Sequence, residues 1–324
     1  MAKVILNREK DITSYCGSVT ITDNMESISV ELSFSVATEP QDKYITAGRP
    51  DIKVGDKVDV IGDKRTLFSG IIITADISGS YTAFDYGYYL SNNDVILQLN
   101  NVSADTAIKK MCEKIGVSVG KCPAIPTVIN KIYTDQSAAD VLKDILEQAT
   151  AEQGKKYFFR VKDSSLNIYE FPQSLTYAKH MFEAGNQIDI TYALGSVSGE
   201  DSISDMRNAV VVLSEEDNSV KVLATKEDSD SISKYGRLQK NVKLSGDEQS
   251  PQTLAENSLK EYNTITSTRS VGNILGSEDV EAGVLLLFSS DKYKVTGAYM
   301  VKSVTHSIGE QYTMSLEIMK TEAV

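Results

Sequence analysis

Histidine is the side chain that most readily moves protons near neutral pH, and this chain has two, His180 and His306. They lie far apart and belong to different expected elements. Neither stands in a motif that would join it to a nucleophile and a carboxylate. No G-x-S-x-G elbow, H-E-x-x-H helix, phosphate-cradling glycine loop or paired helix-borne carboxylate motif occurs. His306, in Val-Thr-His-Ser at the end of an expected strand, reads as a structural or interface histidine. Carboxylates are plentiful, yet none sits where the surrounding sequence would raise its pKa. The acidic runs Glu215-Glu216-Asp217 and Glu227-Asp228-Ser229-Asp230 have the charge for a divalent cation but lack the EF-hand spacing and its glycine. Cys16, Cys112 and Cys122 are odd in number, widely spaced and without a C-x-x-C pair, which argues against a disulfide scaffold or a zinc site. The expectation is a protein that is not an enzyme, with no catalytic, cofactor-binding or metal-binding residues and no cofactor.

Charge narrows the field further. Thirty-three basic residues against forty-five acidic ones give a net −12, the wrong sign for gripping nucleic-acid phosphates. No stretch of about 18 apolar residues exists to span a bilayer, and the N-terminal ten residues contain no h-region. Sixteen tyrosines, no tryptophan and abundant Ser, Thr and Val suit a β-rich protein with extensive contact surfaces.

The clearest local pattern lies in residues 18–36, where Ile28, Val30, Leu32, Phe34 and Val36 alternate with Ser and Glu. Period two over this length predicts a strand with one face buried. Residues 55–74 predict a hairpin, and an aromatic cluster (Tyr81, Phe84, Tyr86, Tyr88, Tyr89) closes the first unit as core or subunit contact. From about residue 95 the period becomes helical. Ala107, Ile108, Met111, Cys112 and Ile115 follow Ser103 as N-cap. A second stripe, Ala138 to Ala149, has Thr134 or Asp135 as its cap and Gly154 beyond its end. A hairpin over residues 157–171 completes an α+β insert. Beyond it the β character returns, with strands over 187–194, 209–213 and 220–225. An acidic loop (226–231) follows, then a helix capped by Ser250 with Pro251 at its first position, and a last alternating strand, Thr313 to Met319. The fold class is therefore β-rich α+β: a first β-barrel over 1–94, an α+β insert of two helices and a hairpin over 95–178, and a second β-barrel over 179–324 with a helix at about 250–263.

One β unit is written twice. Gly55, Val58, Val60, Phe68 and Gly70 in the first hairpin align with Gly283, Leu285, Leu287, Val295 and Gly297 near the C-terminus.

Several ordered segments carry a resemblance. They are Phe68-Ser-Gly-Ile71, Ala83-Phe-Asp85 with Tyr88-Tyr-Leu90, Asn101-Val-Ser-Ala-Asp-Thr-Ala107, Ser204-Asp-Met-Arg-Asn-Ala-Val-Val-Val212, Lys234-Tyr-Gly-Arg-Leu-Gln239, Val304-Thr-His306 and Thr313-Met-Ser-Leu316. Together they resemble the baseplate hub proteins of contractile phage tails, the PBSX-prophage XkdQ type related to late control protein D. The resemblance covers nearly the whole chain. It implies two tail-tube-like β-barrels in one chain and a homotrimer whose six similar units match a sixfold tail tube while offering threefold symmetry to a spike. It also implies a tape measure and LysM-type baseplate proteins as further partners, and a place in a virion or tail-like bacteriocin particle assembled in the bacterial cytoplasm. A fused lysozyme or peptidase domain, found in some relatives, has no matching segment. A negative channel wall would let DNA or a tape-measure protein pass without sticking. The runner-up is a carbohydrate- or cell-surface-binding β module of a tail particle, with the tyrosines as stacking platforms.

Overall fold

The computed structural model describes residues 2–38, 49–162, 164–171, 187–188, 196–216, 219–244, 250–290 and 292–320. His180, Asp217 and the expected strand beyond Ile188 lie outside them.

The first β unit comprises β1 (Lys3–Leu6), β2 (Lys10–Asp11), β3 (Cys16–Asn24), β4 (Glu31–Val36), β5 (Lys57–Ile61), β6 (Thr66–Ala75) and β7 (Ser80–Asp85). It ends in a short helix, α1 (Tyr88–Ser91). The alternation in β4 is realised, with Leu32, Phe34 and Val36 buried and the serines and glutamate between them half-exposed. These side chains join Val58, Val60, Phe68, Ile72 and Tyr81 in one core. Each fully buried aliphatic side chain there contributes roughly 1.5–3 kcal/mol.

The insert contains β8 (Asp94–Ser103), α2 (Ala104–Lys114), β9 (Ser118–Val119), β10 (Val128–Ser137), α3 (Ala138–Gln153), β11 (Lys156–Lys162) and β12 (Ser165–Phe171). Both helical stripes bury as their spacing predicts, with Ile108, Met111, Cys112, Leu142 and Ile145 fully enclosed. An antiparallel ribbon of β8 and β10 adds to the expected two helices and hairpin. Because β10 extends to Ser137, that residue caps α3 in place of Thr134 or Asp135, accepting from the Asp140 amide at 3.1 Å. Gly154 ends the helix in the left-handed region, φ 67°.

The C-terminal part contains β13 (Gln187–Ile188), β14 (Val197–Ser202), β15 (Ala209–Glu216), β16 (Ser219–Glu227), α4 (Ser229–Tyr235), β17 (Gln239–Lys243), α5 (Pro251–Tyr262), β18 (Thr266–Leu275), β19 (Leu285–Ser290), β20 (Val295–Ile308) and β21 (Thr313–Lys320). The strands β16, β15 and β17 leave the main sheet and form their own three-stranded sheet under α5. The acidic stretch read as a loop is partly helical. Asp228 caps α4, accepting from the Asp230 and Ser231 amides at 3.0 and 2.9 Å.

The two β units share one strand order. In the first, the path runs β3-β4-β7-β6-β5; in the second it runs β14-β18-β21-β20-β19, all neighbours antiparallel. In both, the fourth strand in sequence carries a bulge against the fifth, between Ile72 and Thr74 and between Val301 and Ser303. No barrel closes among the described residues. The two units merge instead into one continuous sheet, because β20 pairs along its second half with β3.

Candidate functional site: the seam between the β units and its polar face

The seam begins where β20 changes partner. Up to Met300 its edge is paired with β19, and from Ser303 to Ile308 the same edge pairs with Asn24 to Val19 of β3. The bulge at Lys302 separates the two stretches.

Two glycines set up this exchange. Gly55 donates to the Ile72 carbonyl at 2.8 Å while Ile72 donates to Asp56 at 2.9 Å. Gly283 donates to Val301 at 2.7 Å and Val301 to Val284 at 2.9 Å. Both glycines have positive φ, +92° and +84°, which a Cβ would strain. The matching bonds make Gly55 the counterpart of Gly283 and Ile72 the counterpart of Val301. They also shift the rest of the expected alignment. In the first hairpin Val58 faces Gly70 and Val60 faces Phe68. In the second, Leu286 faces Tyr299 and Phe288 faces Gly297, so Leu286 and Phe288 occupy the positions of Val58 and Val60. Leu285 and Leu287 point to the other side of the sheet, Val295 stands opposite Ser290, and Gly297 holds the place of Phe68.

A charged cluster bolts the seam from the core side. Arg160, on β11 of the insert, donates to the Asp23 carboxylate of β3, to the Ala282 carbonyl at 2.9 Å and to Glu281 at 2.8 Å. Asp23 also accepts from the Ala282 amide at 2.9 Å. Arg65, on the turn of the first hairpin, pairs with the same Glu281. Glu278 accepts from the Asp63 and Lys64 amides of that turn at 2.7 and 3.0 Å. A Cβ at Gly62 would lie 2.5 Å from the Glu278 carboxylate, which would have to shift to admit it. First unit, insert and second unit thus meet through one set of ion pairs. Burial would raise the Glu281 carboxyl, but Arg160, Arg65 and Lys162 hold it below its ordinary value. Burial likewise works to lower Arg160, and Asp23 and Glu281 outweigh it and raise it. Asp85, beside the cluster, is pushed up to about 7 by burial against the opposing Gly87 amide bond.

His306 lies in the seam opposite Ile21 and is buried. Its Nε2 stands 3.0 Å from the Val280 carbonyl, which can only accept, so Nε2 carries the proton. The Tyr312 hydroxyl donates to Nδ1 at 2.9 Å. Burial lowers its pKa, keeping it neutral. Both ring nitrogens hold the second unit's loop and hairpin, the structural part its sequence context suggested. Of the acidic runs, Glu227 pairs with Arg237. Among the described residues no group of three or more His, Cys, Asp or Glu side chains could hold a metal ion. These tyrosines divide: Tyr81 stacks on Phe34 in the core, while around α1 Tyr86 stacks on Tyr89 and Tyr88 meets Tyr89 edge-on.

The opposite face of the seam is made of hydroxyls and carboxylates. Strand pairing aligns Ser33, Thr20, Ser307 and Thr313 in one row and Glu31, Thr22, Thr305 and Ser315 in the next. A third row runs Glu317, Ser270, Ser198. Lys302, the base that reaches these rows, is paired with Glu26 and Glu317 at 3.2 and 3.3 Å. Behind the same strands the core rows read Leu32, Ile21, His306, Met314. The sheet is therefore a wall, apolar behind and wet, uncharged or acidic in front. Such a surface offers solutes hydrogen bonds that water replaces easily, and its Lys302 is held between two carboxylates.

The profile of the YQBQ-like family matches residues 19–319. Protein YqbQ of Bacillus subtilis (strain 168) is 22% identical over 320 residues, covering 96% of this chain and 95% of that protein. XkdQ of the phage-like element PBSX, from the same organism, is 22% identical over 277 residues, covering 83% and 82%. Among solved structures, the 43 kDa tail protein of prophage MuSo2 from Shewanella oneidensis has a similar fold. Its TM-score is 0.68 at 12% identity, across 98% of this chain and 97% of that one.

Proposed function

The chain belongs to the YQBQ-like family, and on that premise we propose that it is a structural component of a phage tail or tail-like particle. In this reading it is a baseplate hub whose trimeric ring adapts a sixfold tail tube to a threefold spike. The observation that carries the proposal is the repeated strand order joined by an internal seam. Two like units fused edge to edge let one chain count as two, so three chains present six similar faces to a tube ring while keeping threefold symmetry for the spike. In that ring each unit is a tail-tube-like barrel and the rows of Ser, Thr and Glu line the channel. Tube and spike proteins are the direct partners, with a tape measure and LysM-type baseplate proteins beyond them. The residues of the seam hold geometry rather than perform chemistry.

A solution mass measurement tests the proposal. Three protomers, seen as a ring by negative stain, is the expected result. A monomer at micromolar concentration overturns it, and a monomer that binds cell-wall glycan would favour a surface-binding module in its place.

A further inference from the structure

Within one chain the second half of β20 finds a partner in β3, and every feature that prepares that meeting is repeated on the first unit. The Gly55 and Gly283 bonds make Ile72 the counterpart of Val301, and the bulges that follow make Thr74 the counterpart of Ser303. The remaining register maps β3 onto β14. Phe34 pairs with Tyr81 and Val19, while Val271 pairs with Leu316 and Val197. Val197 to Ser202 therefore corresponds to Val19 to Asn24, and Asp201 falls at the position of Asp23. Yet among the described residues β14 pairs only with β18, and β6 beyond Ile72 pairs only with β7.

We propose that the end of β6 at Thr74 and Ala75 pairs with the outer edge of β14, at Ser202 and Asp201, of a second copy of this chain. The contact repeats between chains the seam that β20 and β3 make within one. Exposure supports it independently. Ala282, whose amide bonds Asp23 in the internal seam, is 3% exposed, while its counterpart Val54 is 63% exposed. Ile77, on the turn after β6, is 99% exposed. An apolar pair stands open in the lone chain where the second unit is covered. The contact is head-to-tail, so each copy gives one edge and accepts one. In a closed ring of three chains, internal and intermolecular seams alternate and join six units. This inference rests on the hub reading and names the surface that builds it.

Residues directly opposite across antiparallel strands have Cα atoms about 4.5–5.5 Å apart, within the roughly 4.4–6.8 Å a disulfide spans. The test is oxidation of the full chain carrying Thr74→Cys and Ser202→Cys, resolved on a non-reducing gel beside its solution mass. Wild type and each single variant control for Cys16, Cys112 and Cys122. The expected result is a reducible covalent trimer, at least roughly tenfold more abundant than with Thr74→Cys and Ser198→Cys, a pair about 14 Å apart in this register. A protein that is trimeric by mass but does not cross-link, or cross-links equally through residue 198, overturns the edge pairing and leaves the hub reading standing. A protein that is monomeric by mass, with wild type likewise monomeric, overturns both.

Discussion

β3 in the first unit and β14 in the second occupy the same place in the same strand order, and they are built differently. β3 is paired on both sides, by β4 and by β20, and presents Val19 and Ile21 to the core. β14 meets β18 alone among the described residues, is mostly exposed, and has Gly199 at the counterpart of Ile21. Arg269 lies across that glycine, close enough that a Cβ would sit 2.3 Å from its Cδ. It reaches Asp201 at 2.9 Å, where Asp23 in the first unit has Arg160 from another part of the chain. Topology is thus common to both units, while burial follows from what each edge meets. Charged side chains on an uncovered edge also guard it against unspecific pairing.

The largest expected break in this comparison comes from Arg160→Ala. It strands the Asp23 and Glu281 carboxylates in a buried place, at a cost of about 3–5 kcal/mol, read as a lower midpoint in urea denaturation. Arg269→Ala, on the more exposed Asp201 pair, should cost under about 1 kcal/mol. Next come the glycines of the two hairpins. At Gly70 a Cβ would stand 2.2 Å from the Phe84 carbonyl oxygen of the neighbouring strand and 2.7 Å from the Phe68 ring. Gly70→Ala should therefore lower stability by about 3 kcal/mol, near the upper end for overpacking. A thermal melt showing Gly70→Ala to be neutral would refute the close strand approach there.

The third effect is a dependence on pH. Asp85 has its folded pKa raised to about 7 by burial, above the unfolded carboxylate value of about 3.9. Its contribution is fully present below pH ~4 and is lost as pH rises toward 7, because the folded state must then hold a buried charge. His306 works in the opposite sense: its folded pKa is lowered, so its contribution is lost as pH falls below its unfolded value of about 6.5. Comparing wild type with Asp85→Asn separates the two. The variant should gain about 2.6 kcal/mol on wild type between pH 5 and pH 8, by urea melts at each pH. A difference that does not change with pH would remove Asp85 from the account. The smallest effect is expected at Gly297. It has open space around its Cβ position but φ +107°, so Gly297→Ala should cost only the backbone strain, about 1 kcal/mol.

Much of the fold was legible because it is local. The alternation in β4, the stripes of α2 and α3 and the Ser250-Pro251 start of α5 declare themselves within a few residues. The repeat was visible in Gly55 and Gly283, but its phase was not. Residues 285–288 read Leu-Leu-Leu-Phe, apolar at every position, so a period of two cannot say which members face the core. Pairing alone shows them to be Leu286 and Phe288. The strands β15 and β16 were legible as strands, but their departure into a separate sheet with β17 depends on tertiary partners. Arg160 gave no signal at all, since one arginine in a hairpin becomes a hub of ion pairs only when Asp23 and Glu281 arrive from 137 and 121 residues away.

The same separation has a kinetic consequence. Asp23 and the Ala282 amide that binds it are 259 residues apart in sequence. β3 leaves a ribosome long before its second partner, which arrives only with residues 303–308. Loops of that length close slowly, and until they do the nascent chain carries an open edge in its oldest part. Ordering of β3 therefore waits on Ala282 and residues 303–308, and a chain halted before Ser303 would hold a formed first core beside an uncovered ladder of backbone donors and acceptors.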